Sequence, residues 1–340
     1  MGKTPPPEHP FAQYIRILGK GKNGSRSLTL DEAYASMSMV LDDGVDPLQL
    51  GAFLIVLRIK EETPEEMAGF IRACKEATPI PEGVSVDLDW SSYAGKRRQL
   101  PWFILSALLL ADHGTSVFMH GASGHTAERI YTEDVLPVLG IQPCASLQAA
   151  AAELKANRFA FVPLENLSPK LEEIIQYRPL LGLRSPVHSI ARQLNPFDAP
   201  YIMQGIFHPG YRPIHQEAAL LLGQNNMSVI KGEGGEVERN PDIPCLVQSV
   251  LDGKLVEEEW PAMFKRRHVK DEMMNPMRLA SVWAGVDEGN KEDEYGVAAV
   301  VGTAAIALKL MGKAADSEAA MNSANEMWKG RDRTRYPGQG

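Results

Sequence analysis

Three cations stand in a row at Lys96-Arg97-Arg98. Arginine forks to phosphate oxygens through two parallel N–H groups, and lysine adds a compact point charge, so the run suits phosphate recognition. Tyr93 precedes it and Gln99 follows, with Trp102 and Phe103 close behind. Aromatic rings beside cations can stack on nucleobases, although Trp102 and Phe103 open an apolar stretch that reads as core. A second basic run, Lys265-Arg266-Arg267-His268 with Lys270, follows the acidic Glu257-Glu258-Glu259. It reads equally as a nucleic-acid patch or as a charged, solvated loop. Lys329, Arg331, Arg333 and Arg335 surround Asp332 in a tail, 329–340, expected to be a disordered arm that reinforces polyanion contact. Arg129 and Arg184 complete the phosphate-binding candidates.

Other chemistries find less support. His113, His120 and His125 lack metal-ligand spacing with a further ligand, so no metal site is expected. Ser123 lacks the glycine pattern of a nucleophile elbow. Cys74, Cys144 and Cys245 lie far apart and read as reduced core residues. The formal net charge of −8 opposes non-specific nucleic-acid binding by the molecule as a whole, but the positive charges are clustered. The longest apolar run, Trp102–Ala111, is about half of a membrane span. The N-terminus carries no apolar signal core, and Pro6 and Pro7 spoil a myristoylation pattern after Gly2. A cytoplasmic protein is expected.

The elements that must position these residues follow from pattern. The first ten residues are Pro-rich and expected to be mobile. Helical signals then fill residues 11–78, among them the Thr63-Pro64-Glu65-Glu66 start, and Pro79 and Pro81 stop them. Beyond, strand and helix alternate: strands are expected at 84–88, 116–120, 159–162, 201–207, 228–231 and after Cys245. Helices are expected at 102–111, 128–139, 145–157, 167–181, 186–194 and 295–311. This alternation predicts an α/β domain with a mostly parallel sheet.

Several motifs in order carry a family resemblance: Gly19-Lys20-Gly21, Leu50-Gly51-Ala52-Phe53-Leu54, Leu57-Arg58-Ile59-Lys60, the Thr63 helix start, His120-Gly121, Tyr177–Arg184 and Asn195-Pro196. Over roughly 13–325 the chain resembles the anthranilate phosphoribosyltransferase-like family, glycosyl transferase family 3, and the related pyrimidine nucleoside phosphorylases. The resemblance implies a small helical domain at 11–80, with 165–190 contributing. It also implies a larger α/β domain at 81–164 and 191–328, and a homodimer formed through the helical domain.

Against that family the chain departs where diphosphate chemistry happens. The enzymes carry a Gly-Thr-Gly-Gly-Asp-Gly loop, then an Asn and a Ser-Thr pair. Counted back without gaps from His120-Gly121, these fall on Ser91–Lys96, Pro101 and Phe103-Ile104, with Gly95 on the Asp position. The backbone freedom and close approach that glycines give a diphosphate cradle are lost. His120-Gly121-Ala122 lacks the enzymes' Asn, and their magnesium-binding Asp-Glu pair falls on Val237-Glu238, so one carboxylate is missing. Arg184 matches the substrate-side arginine. The Ser92–Gln99 segment resembles the YbiB-like branch, in which a Ser-Tyr-x-Gly pattern followed by cations and Gln replaces the loop; that branch is associated with nucleic-acid binding.

The expectation is a nucleic-acid-binding protein that contacts phosphates independently of sequence, single-stranded DNA or RNA first, with no cofactor. The alternative is a diverged phosphoribosyl or glycosyl transferase, which alone would call for magnesium. A small-molecule binding protein without catalysis is a third reading.

Overall fold

The computed structural model describes residues 7–21, 23–271, 273–286 and 288–336. Most of the Pro-rich start lies outside them, as does the end of the tail. Four helices come first: α1 (Ala12–Gly19), α2 (Leu30–Leu41), α3 (Pro47–Lys60) and α4 (Pro64–Glu76). Thr63 starts α4 with a reciprocal cap, its hydroxyl accepting the Glu66 amide and the Glu66 carboxylate accepting the Thr63 amide. Such a cap contributes about 1 kcal/mol. Glu66 is fully buried and accepts the Leu28 amide as well (2.8 Å), tying α4 to the start of α2. The two helices meet at Gly69, where an added Cβ would lie 2.3 Å from the Leu30 carbonyl oxygen.

The α/β part holds β1 (Leu88–Ser92), α5 (Phe103–Asp112), β2 (Val117–Gly121), α6 (Thr132–Val135), α7 (Leu147–Asn157) and β3 (Phe159–Pro163). Short helices α8 (Leu164–Leu167), α9 (Pro169–Gln176), α10 (Arg178–Leu181) and α11 (Val187–Ile190) come next. The chain then runs through β4 (Tyr201–Ile206), α12 (Tyr211–Leu221), β5 (Met227–Lys231), β6 (Cys245–Leu251) and β7 (Lys254–Trp260). It closes with α13 (Met277–Ala284), α14 (Glu294–Leu310) and α15 (Ser317–Gly330).

One seven-stranded sheet has the order β3-β2-β1-β4-β5-β6-β7. The strands from β3 across to β5 run parallel, β6 runs antiparallel to β5, and β7 runs antiparallel to β6. Successive side chains of a strand point to opposite faces, so the central strands feed two cores. Val117 and Met119 join Phe159 and Phe161 under α5 and α14, while Phe118, Ala160 and Val162 pack with residues of the helical domain. Leu171, Ile174 and Val187 belong to that second core, together with residues of α1 to α4.

Several boundaries differ from expectation. The first strand is Leu88–Ser92, buried along its length, and not 84–88. The helix expected at 128–139 is reduced to α6 and a 3-10 turn at Leu136–Leu139. Glu128 has positive φ (60°), Ile130 bridges to Lys96, and Pro137 cannot donate a helical hydrogen bond. Pro169 and Pro179 open new short helices within 167–181 for the same reason. The acidic run Glu257-Glu258-Glu259 lies on the edge strand β7, where charge discourages edge-to-edge pairing. The tail is not a free arm as far as Tyr336. Arg331 is buried and donates to the Trp283, Trp328 and Val282 carbonyls; Arg333 pairs with Glu288, Arg335 with Asp112 and Lys329 with Glu326.

The strand order reverses between β1 and β4. In open parallel sheets the crevice beyond the carboxyl ends at such a point receives ligands. The loops after β1 and β5 meet there.

Candidate functional site

The loop after β1 turns at Gly95, whose φ of +65° favours glycine. Its amides point at carboxylates from the loop after β5. Ala94 and Gly95 both donate to Glu236 Oε1 at 2.6 Å. Arg97 (3.1 Å) and Arg98 (2.8 Å) donate to Glu233 Oε1, and the Phe103 amide, at the start of α5, donates to Glu238 Oε2 (2.9 Å). Amides of the kind that would wrap a diphosphate are thus already paired with the chain's own acids. Val237, where one carboxylate of the family's pair is missing, is core and lies between two buried acids, Glu236 and Glu238.

The expected cation trio divides. Lys96 is 1% exposed and forms a buried ion pair with Glu238, with Glu233 Oε2 3.2 Å away. Burial pulls its ammonium down, but the two carboxylates outweigh this and hold it above its ordinary value. Burial raises the Glu238 carboxyl even beside that ammonium. Lys96 is therefore no phosphate contact; it neutralises an acid pair. Tyr93 is likewise corrected as a stacking candidate: it is fully buried, with its hydroxyl 2.6 Å from His120 Nδ1, and Asp89 lies 3.2 Å from His120 Nε2. Gln99 is buried and donates to the Val269 carbonyl (2.7 Å), so it positions a neighbouring loop.

That loop carries the second basic run. The Asp271 amide donates to the Arg98 carbonyl (2.8 Å), and Arg97, Arg98, Glu128 and Lys270 line one hollow of about 410 Å³. The end of the second run, Lys270, thus meets Arg97 and Arg98 although about 170 residues separate them in sequence, whereas Arg266 lines a separate hollow against α13 to α15. Arg97, Arg98, Lys265, Arg267 and Lys270 are exposed, and none has an ion-pair partner among the described residues. Arg266 is exposed but pairs with Glu294 (2.7 Å), and Asp242 holds His268.

Arg129 and Arg184 belong to a second group, deeper in the cleft toward the short helices. Arg129 donates to the Ala94 (2.8 Å) and Gly95 (3.0 Å) carbonyls, bracing the loop. Arg178 donates to the His125 carbonyl (3.1 Å), and Arg184 approaches the Thr126 hydroxyl (3.5 Å). Arg192, buried, donates to the Gly205 carbonyl (2.9 Å). None of these four arginines forms an ion pair among the described residues. Burial, reinforced by Arg192, Arg129 and Arg178, lowers Arg184 to about 10. Arg178 stands in a motif the sequence singled out; Arg192 carries no local signal.

The neutral histidines here have a measurable consequence. Burial, then Arg184, lowers His125 to about 3; burial, then Arg192, lowers His215 to about 3. Both imidazoles are neutral in the folded chain, whereas an unfolded histidine titrates near about 6.5. Stability from these groups is full above about pH 6.5 and falls as pH drops toward 3, by up to about 1.4 kcal/mol per pH unit for each. Urea unfolding should therefore show a lower midpoint at pH 5 than at pH 7, and His215→Gln should narrow the difference. Equal pH dependence in that variant contradicts the assignment.

Comparison with known proteins adds to this geometry. A family model described as glycosyl transferase family, helical bundle domain, matches residues 12–78. The uncharacterized protein YbiB of Escherichia coli (strain K12) is 32% identical over 237 residues, 68% of this chain and 73% of that one. An anthranilate phosphoribosyltransferase of Anaeromyxobacter sp. (strain Fw109-5) is 30% identical over 305 residues, covering 84% and 87% of the two chains. In fold, the chain is similar to the anthranilate phosphoribosyltransferase of Saccharomyces cerevisiae solved with PRPP and Mg. The TM-score is 0.77 at 14% identity, over 96% of this chain and 95% of the other.

Proposed function

The chain belongs to the anthranilate phosphoribosyltransferase-like glycosyl transferase family, and on that scaffold we propose a nucleic-acid-binding protein that grips phosphates without reading sequence. One observation carries the reading: Arg97 and Arg98 join Lys270 at the crevice, while the loop amides behind them already donate to Glu233 and Glu236. Exposed, unpaired arginines and lysines are the groups that displace counterions from a polyanion and position its backbone.

The residues do not fit a diphosphate with magnesium. Magnesium takes one or two carboxylates plus phosphate oxygens and waters. Here the Lys96 ammonium lies against both Glu238 and Glu233, so a divalent ion would meet a fixed positive charge. A diphosphate would compete with buried carboxylates for the same amides.

A homodimer accompanies this reading. Leu48 (82%) and Ile59 (75%) stand exposed on α3 of the helical domain, apolar surface that a second copy would cover. Among the described residues no helix is long and apolar enough to cross a membrane; a cytoplasmic location is part of the proposal.

The transferase reading keeps one specific support, the likeness over most of the chain to an anthranilate phosphoribosyltransferase, and the motif resemblance leaves His120, Arg184 and Glu238 at family positions. Parallel titrations with single-stranded DNA, duplex DNA, RNA and phosphoribosyl diphosphate with magnesium separate the two. The nucleic acids should bind with steep salt dependence and the diphosphate sugar should not. Anthranilate-dependent consumption of phosphoribosyl diphosphate, lost in Arg184→Ala, would reverse the conclusion.

A further inference from the structure

The exposed cations ring the crevice without filling it. Inside Arg97, Arg98 and Lys270 lies a cavity of about 460 Å³, walled by the loops that follow β1, β4 and β5. Its lining adds apolar and amide groups to the cations of the rim, with Arg129 and Lys231 among them. Phe207, the first residue after β4, keeps 49% of its surface exposed there, and Ile243 adds apolar wall. Asn240 supplies a side-chain amide whose Oδ1 accepts the Asp242 amide (2.9 Å). Glu233 and Glu238 back the cavity.

Charge and shape then sort what can enter. The cavity wall carries charge of both signs: Arg129 and Lys231 stand beside Glu233, Glu238 and Asp242, and Lys96 is engaged by Glu238 and Glu233. The apolar and hydrogen-bonding part of the wall, Phe207, Ile243 and Asn240, offers a place for a flat, uncharged group beside the cations that hold its phosphates. A nucleobase is neutral, flat and edged with hydrogen-bonding atoms. The cavity falls within the size range of small-ligand pockets. A half-exposed ring beside cations is the arrangement on which bases stack in single-strand binding, and it tolerates any sequence because every base has a π-face.

We propose that this cavity admits an unpaired nucleobase of the strand whose phosphates lie along Arg97, Arg98 and Lys270, and that Phe207 is its stacking face. The inference rests on the nucleic-acid reading and adds a strand preference to it. In a duplex the bases are paired and stacked, and reaching the cavity first requires unstacking. Single strands therefore bind more tightly than duplex at equal length and salt.

The test is fluorescence anisotropy with a labelled oligothymidylate, an abasic strand of equal length and a duplex of equal length. Wild type, Phe207→Ala and Phe207→Leu are compared. Leu keeps apolar bulk at a half-exposed position, so it reports the loss of stacking in a folded chain. Wild type should bind the base-bearing strand on the order of ten-fold more tightly than the abasic strand. Both variants should lose most of that preference while keeping the abasic affinity and the salt slope. Equal affinity of wild type for the base-bearing and abasic strands overturns the base cavity alone, as do variants that weaken both strands alike or neither. Wild type that binds none of the three probes overturns the nucleic-acid reading together with it.

Discussion

Replacing Lys96 by Met lowers the stability of the folded chain by about 3–5 kcal/mol, because it strands a buried acid without its counter-charge. Lys96 and Glu238 are each about 1% exposed, and Glu238 Oε2 also holds the Phe103 amide at the start of α5. Burial already raises the Glu238 carboxyl, and removing the ammonium raises it further. The variant meets its cost by protonating Glu238 or by opening the loop to water. Adding Glu238→Gln should recover much of the loss, since a neutral amide can stay buried without a cation and still offer an oxygen to Phe103. Urea unfolding of wild type, both single variants and the double variant gives the coupling. A loss below about 1 kcal/mol for Lys96→Met, the range of exposed ion pairs, would mean that the lysine is not the internal counter-charge described above.

The buried lysine also marks how far the sequence could be read. The helical start was legible because its signals are local: Thr63 and Glu66 sit at capping spacing, and Pro64 and Pro79 fix where the chain can and cannot be helical. Strands β2 to β5 were legible from short apolar runs between turn residues, whereas β1, at the centre of the sheet, was expected at 84–88 and lies at Leu88–Ser92. The 128–139 stretch is helical only from Thr132 on, because its start is claimed by the bridge of Ile130 to Lys96, a contact with a residue 34 positions earlier. In the site, the departure from the glycine loop was visible residue by residue. Its replacement was not. Lys96, Arg97 and Arg98 are equivalent in sequence, and only the acids brought across by β5 decide that the first is buried and the other two face solvent. The joining of Arg98 and Gln99 to the 269–271 loop by two hydrogen bonds, and the arginine group around Arg184, are tertiary facts with no local trace.

The central claim is that the exposed cations of the crevice bind a nucleic-acid backbone, and salt dependence reads it most directly. Each phosphate neutralised on a single strand contributes about −0.7 to the slope of log affinity against log salt. Changing Arg97, Arg98 and Lys270 together to Ala removes three such contacts and should flatten the slope by about 2. All three side chains are exposed and free of ion pairs among the described residues, so the fold should be kept. Affinity should fall alike for unrelated sequences, because backbone contacts carry no sequence information. Lys96, being internal, should contribute nothing to the slope in any variant that stays folded. The measurement is a salt titration of wild type and the triple variant against one labelled single strand. A slope flattened by about 2 with a matching loss of affinity is the predicted result. An unchanged slope and affinity in a folded triple variant would contradict the account, and the crevice would not be where this protein meets nucleic acid.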